Sequence, residues 1–111
     1  MFYIATYYLK MDIHQPATLL SAGCFIADSD WVHSARTIDS YELMVGVNGK
    51  VFIQQDNDQY ILNEGDVVLL LPGHPHRGYR PSEKGTSFYW MHFLCNGQSD
   101  IIDSKKAVEE I

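Results

Sequence analysis

Between Tyr41 and Gly73 the chain is cut four times by clusters of turn-forming residues: Asn48-Gly49, Asp56-Asn57-Asp58, Asn63-Glu64-Gly65-Asp66 and Pro72-Gly73. The segments between them, Tyr41 to Val47, Val51 to Gln55, Gln59 to Leu62 and Val67 to Leu71, are four to seven residues long and rich in aliphatic, β-branched or aromatic side chains. Segments so short are strand-sized, below the length of an ordinary amphipathic helix. Short strands at regular spacing with turns between them define a sandwich or a barrel. Asn48-Gly49 is the sharpest of these signals. Asn and Gly both tolerate the positive φ that a type I′ turn demands, so the spacing predicts a hairpin joining Tyr41–Val47 to Val51–Gln55.

The rest of the chain is read outward from this block. Thr18 to Ile26 reads as a strand weakened by Gly23, and Thr86 to Leu94 (TSFYWMHFL) as the last strong strand. Trp31 to Ser40 is polar and irregular, and His74 to Gly85 reads as a loop. Met1 to Asp12 forms an aromatic arm, either a first strand completing a sheet or a flap, ahead of a break at Gln15-Pro16. After Asn96-Gly97 the pattern changes. Ser99 or Asp100 can cap a helix, with Ile101, Ile102, Val108 and Ile111 as its apolar stripe. The expected layout is a barrel over residues 1–97, with residues 1–12 as its arm, followed by the start of a linker or dimerisation helix over 98–111.

Length and charge narrow the function classes. A chain of 111 residues is one domain. Eight basic against fourteen acidic residues give a net charge of −6, and the basic ones are scattered. That argues against direct DNA or RNA binding by this segment and against a polybasic membrane patch. The two cysteines, Cys24 and Cys95, form neither a CxxC pair nor a disulfide framework. This fits a reducing cytoplasm, the expected location. No signal peptide is read at the N-terminus, and the aliphatic run Val67 to Leu71 is far below the roughly 20 residues of a membrane span. No Ser-His-Asp or Cys-His arrangement is evident, so no catalytic residue and no cofactor are expected.

The segment Gly65-Asp66-Val67-Val68-Leu69-Leu70-Leu71-Pro72-Gly73-His74-Pro75-His76 resembles the second sequence motif of cupins, G-x5-P-x-G-x2-H-x3-N. Gly65, Gly73 and His76 match it, whereas Leu71 replaces the proline and Arg80 the asparagine. Glu42 and Gly49 fit the E-x6-G that ends the first cupin motif. The two ligand histidines of that motif would fall near Ala35, Arg36, Thr37 and Ile38, and His33 is out of register. The set of imidazole and carboxylate ligands would shrink to Glu42 and His76, with His92 or His74 beside them, and no functional metal is expected.

A second resemblance covers nearly the whole chain. It rests on Leu20-Ser21-Ala22-Gly23, Arg36, Tyr41-Glu42-Leu43-Met44-Val45-Gly46-Val47-Asn48-Gly49, Leu62 through His76, and Phe88-Tyr89-Trp90-Met91-His92-Phe93, in that order. This series is similar to the N-terminal sensor and dimerisation domain of AraC-type bacterial transcription regulators. The resemblance implies a mainly β, cupin-like double-stranded β-helix (a jelly-roll barrel) with a C-terminal helix. It also implies a small-molecule effector, commonly a sugar, held inside the barrel, and a homodimer. DNA would be read by a helix-turn-helix domain that lies beyond Ile111.

In such sensors an arginine ahead of the Tyr-x-Leu strand and an aromatic residue near the end of the last strand contact the sugar. Arg36 and Trp90 match those positions. Planar hydrogen-bonding groups and aromatic faces suit sugar recognition on physical grounds as well. Strand alternation places Phe88, Trp90 and His92 on one face, taken as the cavity face, with Tyr89, Met91 and Phe93 on the other. The expected ligand-binding set is Arg36, Tyr41, His76, Tyr79, Phe88, Trp90 and His92. His14 and His33 read as ordinary surface histidines, and Arg36 has a plainer alternative role as an ion-pair partner of Asp39 or Glu42. Two other functions compete: a small metal-dependent cupin enzyme of the sugar isomerase or dioxygenase type, and a barrel that serves only for dimerisation.

Overall fold

A computed structural model of the chain describes residues 7–11, 17–95 and 99–103. It contains nine strands: β1 (Tyr7–Met11), β2 (Ala17–Ile26), β3 (Tyr41–Asn48), β4 (Val51–Gln55), β5 (Asp58–Leu62), β6 (Val67–Leu70), β7 (His76–Gly78), β8 (Ser87–Cys95) and β9 (Ser99–Asp103). No helix occurs among the described residues. The fold is mainly β and cupin-like, as expected. One unit, Leu19–Leu94, carries the two larger sheets, of order β2-β8-β3-β6 and β5-β4-β7. In the second unit β1 pairs antiparallel with β9, from Tyr7↔Asp103 to Met11↔Ser99.

The helix expected to start at Ser99 or Asp100 is therefore replaced, over Ser99–Asp103, by a strand. Ser and Asp at a segment's start signal a helix cap, but adjacent β-branched Ile101 and Ile102 favour a ladder once a partner strand is available, and β1 is that partner. Tyr7–Met11 is itself a strand, paired with β9 in a two-stranded sheet. The remainder of the arm and of the expected helix lies outside the described residues.

β3 organises the main unit. It sits between β6 and β8, with Leu43 opposite Leu69 on one side and Met91 on the other. Alternation along it buries Glu42, Met44 and Gly46, while Tyr41, Leu43 and Val45 stay half-buried. Met44, Val68, Leu70 and Phe88 from this sheet meet Val51, Ile53 and Leu62 from the other in a single core, with Phe25, Trp31 and Trp90 packed against it. The Gln55 side chain bridges the two sheets by accepting a hydrogen bond from the Leu71 amide at 2.7 Å.

Asn48-Gly49 is a corner rather than a hairpin. β3 pairs with β6 and β8, whereas β4 belongs to the opposite sheet, so the chain crosses the sandwich at this point. Gly49 has φ 72°, Asn48 does not share the left-handed conformation, and the Asn48 side chain instead donates to the Gly85 carbonyl at 2.9 Å. The real hairpin is β4–β5, with Asp56 at φ 53° in its tight turn and a register running from Val51↔Leu62 to Gln55↔Asp58. Gly46 marks a close approach of a different kind: a Cβ there would lie 2.0 Å from the Asn63 carbonyl oxygen, because the β5–β6 turn exchanges backbone hydrogen bonds with Gly46.

The region expected to be a plain loop after Gly73 contains β7, which pairs with β4 through Gln55↔His76, Gln54↔Arg77 and Ile53↔Gly78. β7 also fixes the irregular segment before β3. Arg36 and His76 exchange backbone hydrogen bonds of 2.9 and 3.0 Å, and the Gly78 amide donates to the His33 carbonyl at 3.0 Å.

Candidate functional site

The side chains of Phe88, Trp90 and His92 share one face of β8, as the alternation requires, and all three line a cavity of about 310 Å3. β2 adds Ser21 and Phe25, the segment before β3 adds Trp31, His33, Ser34 and Arg36, and β3 adds Glu42. A volume of this size falls at the lower end of the roughly 300–1,000 Å3 range of small-molecule sites.

One part of the wall is aromatic. The Phe25 and Trp31 rings lie 4.4 Å apart, and Phe88 packs 5.3 Å from Phe25 and 5.8 Å from Trp31. Trp90 lies across Gly23 of β2, where a Cβ would come within 2.6 Å of the indole ring. The glycine that weakened the strand in sequence is thus what lets the indole lie against it.

The other part is polar and centred on Glu42, whose side chain is 2% exposed. One carboxylate oxygen, Oε1, accepts a hydrogen bond from the Arg36 guanidinium at 2.7 Å and lies 3.0 Å from His92 Nε2. Arg36 Nε also donates to His76 Nε2 at 3.2 Å. Arginine has only donors, so His76 Nε2 accepts and the neutral ring carries its proton on Nδ1. That Nδ1 is buried without a hydrogen-bond partner. The His33 ring stands edge-on to His76 at 5.3 Å, and its Nδ1 lies 2.7 Å from the Ser34 carbonyl, which it meets as a donor.

Burial is the main reason both buried histidines ionise below the ordinary 6.5. For His76 the nearby His33 adds to the effect and Glu42 opposes it; for His33 the bond to the Ser34 carbonyl opposes it. Both rings are therefore neutral at pH 7.

Of the expected ligand-binding residues, the structure brings Arg36, Phe88, Trp90 and His92 together on one cavity. His76 is buried behind the Arg36 guanidinium and, with Arg36 and Arg77, lines a separate depression of about 320 Å3. Tyr41 and Tyr79 are not among the residues lining the first cavity. Tyr41 belongs to the opposite face of β3 from Glu42 and stacks on Phe93, with ring centroids 5.2 Å apart. Tyr79 packs edge-on against Phe52, and its hydroxyl donates to the Tyr60 carbonyl at 3.3 Å.

His33, expected at the surface, is 7% exposed because β7 and the bridge at Arg36 draw its segment inward. Sequence reasoning also left Ser21, Phe25, Trp31, Ser34 and Glu42 out of the ligand-binding set. Only Glu42 carried a signal, since alternation with Met44 turns it inward. Of the two ion-pair partners weighed for Arg36, Glu42 is the one it meets. Arg36 thus both lines the cavity and bridges the two residues, Glu42 and His76, that match cupin ligand positions. Among the described residues no group of three His, Cys, Asp or Glu side chains is placed to hold a metal ion.

Comparison with known proteins agrees with this architecture. The family model described as the AraC-like ligand binding domain matches residues 22–101. An uncharacterized HTH-type transcriptional regulator of Bacillus subtilis, YisR, is 28% identical over 74 residues, which span 67% of this chain and 26% of the regulator. The chain thus matches about a quarter of that relative's length. Among solved structures, a protein described as a candidate mannose-6-phosphate isomerase from Ralstonia eutropha superposes with a TM-score of 0.53 and 15% identity, over 75% of this chain and 85% of its own. A conserved Streptococcus pyogenes protein of unknown function gives the same TM-score and identity, over 84% of this chain and 76% of its own. At such identities these likenesses concern the fold alone.

Proposed function

Because this chain belongs to the AraC-like ligand binding domain family, we propose that it is the effector-sensing part of a bacterial transcription regulator and that its effector is a sugar or a similar small molecule held against Trp31 and Trp90. The parent protein would read DNA through a separate helix-turn-helix domain and act as a homodimer. Effector binding would change how two such domains are held. In this reading the domain binds and does not catalyse.

The observation that carries the proposal is the two-sided cavity. Its aromatic wall suits the C–H face of a sugar ring, and the Arg36–Glu42–His92 cluster offers directed donors and acceptors at the polar side. The enzyme alternative is weaker because a guanidinium links the two cupin-like positions Glu42 and His76.

Both tryptophans of the chain line the cavity, so intrinsic fluorescence reports on it directly. Titration of the purified domain with a panel of pentoses and hexoses should give saturable fluorescence changes for at least one member, together with a raised melting temperature. A panel that leaves both signals unchanged would remove the sugar assignment.

A further inference from the structure

The only formally charged side chains lining the cavity, among the described residues, are Arg36 and Glu42, and they are paired with each other at 2.7 Å. Glu42 lies in the wall and is almost fully buried, so a ligand entering the polar side meets a carboxylate already paired with the Arg36 guanidinium and with His92. Arg36 is committed twice over, to Glu42 through Nη2 and to His76 through Nε. The remaining polar lining groups are serine hydroxyls and imidazoles, which offer hydrogen bonds without a fixed positive charge.

We propose that the cavity takes an uncharged polyhydroxylated ligand and rejects its carboxylate and phosphate counterparts, because the Arg36–Glu42 pair neutralises the site from within. The proposal rests on the sugar reading above and narrows it to a ligand class. A sugar acid or sugar phosphate would have to shed its hydration beside the Glu42 carboxylate and find no free cation in return, a cost that neutral hydroxyls do not incur. A neutral ligand can donate to Glu42 or to the His92 ring nitrogen that faces away from it, and accept from the N–H groups of Arg36 that Glu42 and His76 leave over, while the ion pair stays closed. The burial of His33 and His76, which favours their neutral forms, keeps them from supplying the missing charge.

The test uses matched pairs at pH 8, above the ordinary imidazole range: glucose against glucuronate and glucose 6-phosphate, galactose against galacturonate, and mannose against mannose 6-phosphate, each titrated against the tryptophan fluorescence of the wild-type domain. The expected result is binding of at least one neutral sugar, with its anionic counterparts weaker by about tenfold or more. Equal or tighter binding of an anionic member overturns the charge rule and leaves the sugar reading standing. Failure of every compound to bind ends the sugar reading, and the charge rule falls with it. The variant Glu42→Gln provides a gain-of-function arm, since it frees Arg36 while keeping the side-chain shape. Provided its circular dichroism matches wild type, it should bind the anionic members about tenfold more tightly than wild type does. A folded Glu42→Gln domain with unchanged anion affinity also overturns the proposal.

Discussion

Glu42 and Met44 stand two residues apart on the same face of β3, and both are essentially inaccessible to solvent, yet they belong to regions of opposite character. Met44 enters the apolar core with Ile53, Leu70 and Val51, where contact is non-directional and shape decides the energy. Glu42 enters a cluster with Arg36 and His92, where each neighbour must be a hydrogen-bond partner in the right place. One strand thus passes from filled core to open site within a single side-chain repeat. Burial alone does not tell the two apart; the distinction is whether the buried atoms are held by packing or by directed bonds.

That contrast can be pressed from both sides. The largest effect belongs to the core: Met44→Ala should destabilise the domain by about 2–5 kcal/mol in urea denaturation, the range for a fully buried side chain that leaves a cavity. A much smaller loss would show that the core collapses around the gap as a loosely packed region can. Next comes Gly23→Ala. Its new Cβ meets the Trp90 ring at 2.6 Å, so the indole must move, at a cost of about 1–3 kcal/mol and with a shifted emission spectrum. An unchanged spectrum and stability would mean that Trp90 is not seated on β2.

A smaller effect is the pH dependence of the polar region. His33 and His76 have native pKa values below 6.5, so between those values and 6.5 the unfolded chain binds protons that the folded one does not. Their contribution to stability is fully present above pH 6.5 and is lost as pH falls through the native values. Chemical denaturation between pH 7.5 and 5.5 should show stability decreasing toward acid, with a shallower slope in His76→Gln. An equal slope in the variant would mean that His76 takes no part. The smallest effect is expected at Tyr79, which only donates one long hydrogen bond away from the cavity: Tyr79→Phe should change stability by about 0.5 kcal/mol or less and leave ligand titrations unaltered.

How far the sequence revealed this molecule depended on whether the signal was local. β3 and β8 announced themselves as apolar, strand-length runs, and alternation along β8 gave the inward face Phe88, Trp90 and His92. Asn48-Gly49 announced a sharp bend correctly but not its partner, because turn propensity says nothing about which strand lies alongside. β7 has three residues and no readable period, yet it holds His76 and Gly78 in place and through them draws in His33 and Arg36. Trp31 is anchored by a bridge to Ser82, a pairing that no pattern within Trp31–Ser40 could disclose. Tyr41 and Tyr79 were reasonable pocket candidates by residue type, but the first belongs to the opposite face of β3 and the second is engaged with β4 and β5.

The crossing at Asn48-Gly49 carries a consequence for the order of events during folding. Both neighbours of β3 come from later in the chain, so when β3 leaves the ribosome it has no strand to join. β4 and β5, joined by a tight turn, need close only a short loop and can form first. Pulse-labelled hydrogen exchange should find amides of Val51–Leu62 protected before those of β3. One of the two inner strands of the larger sheet is therefore synthesised early and secured late, and in the interval its apolar side chains are open to the wrong companions.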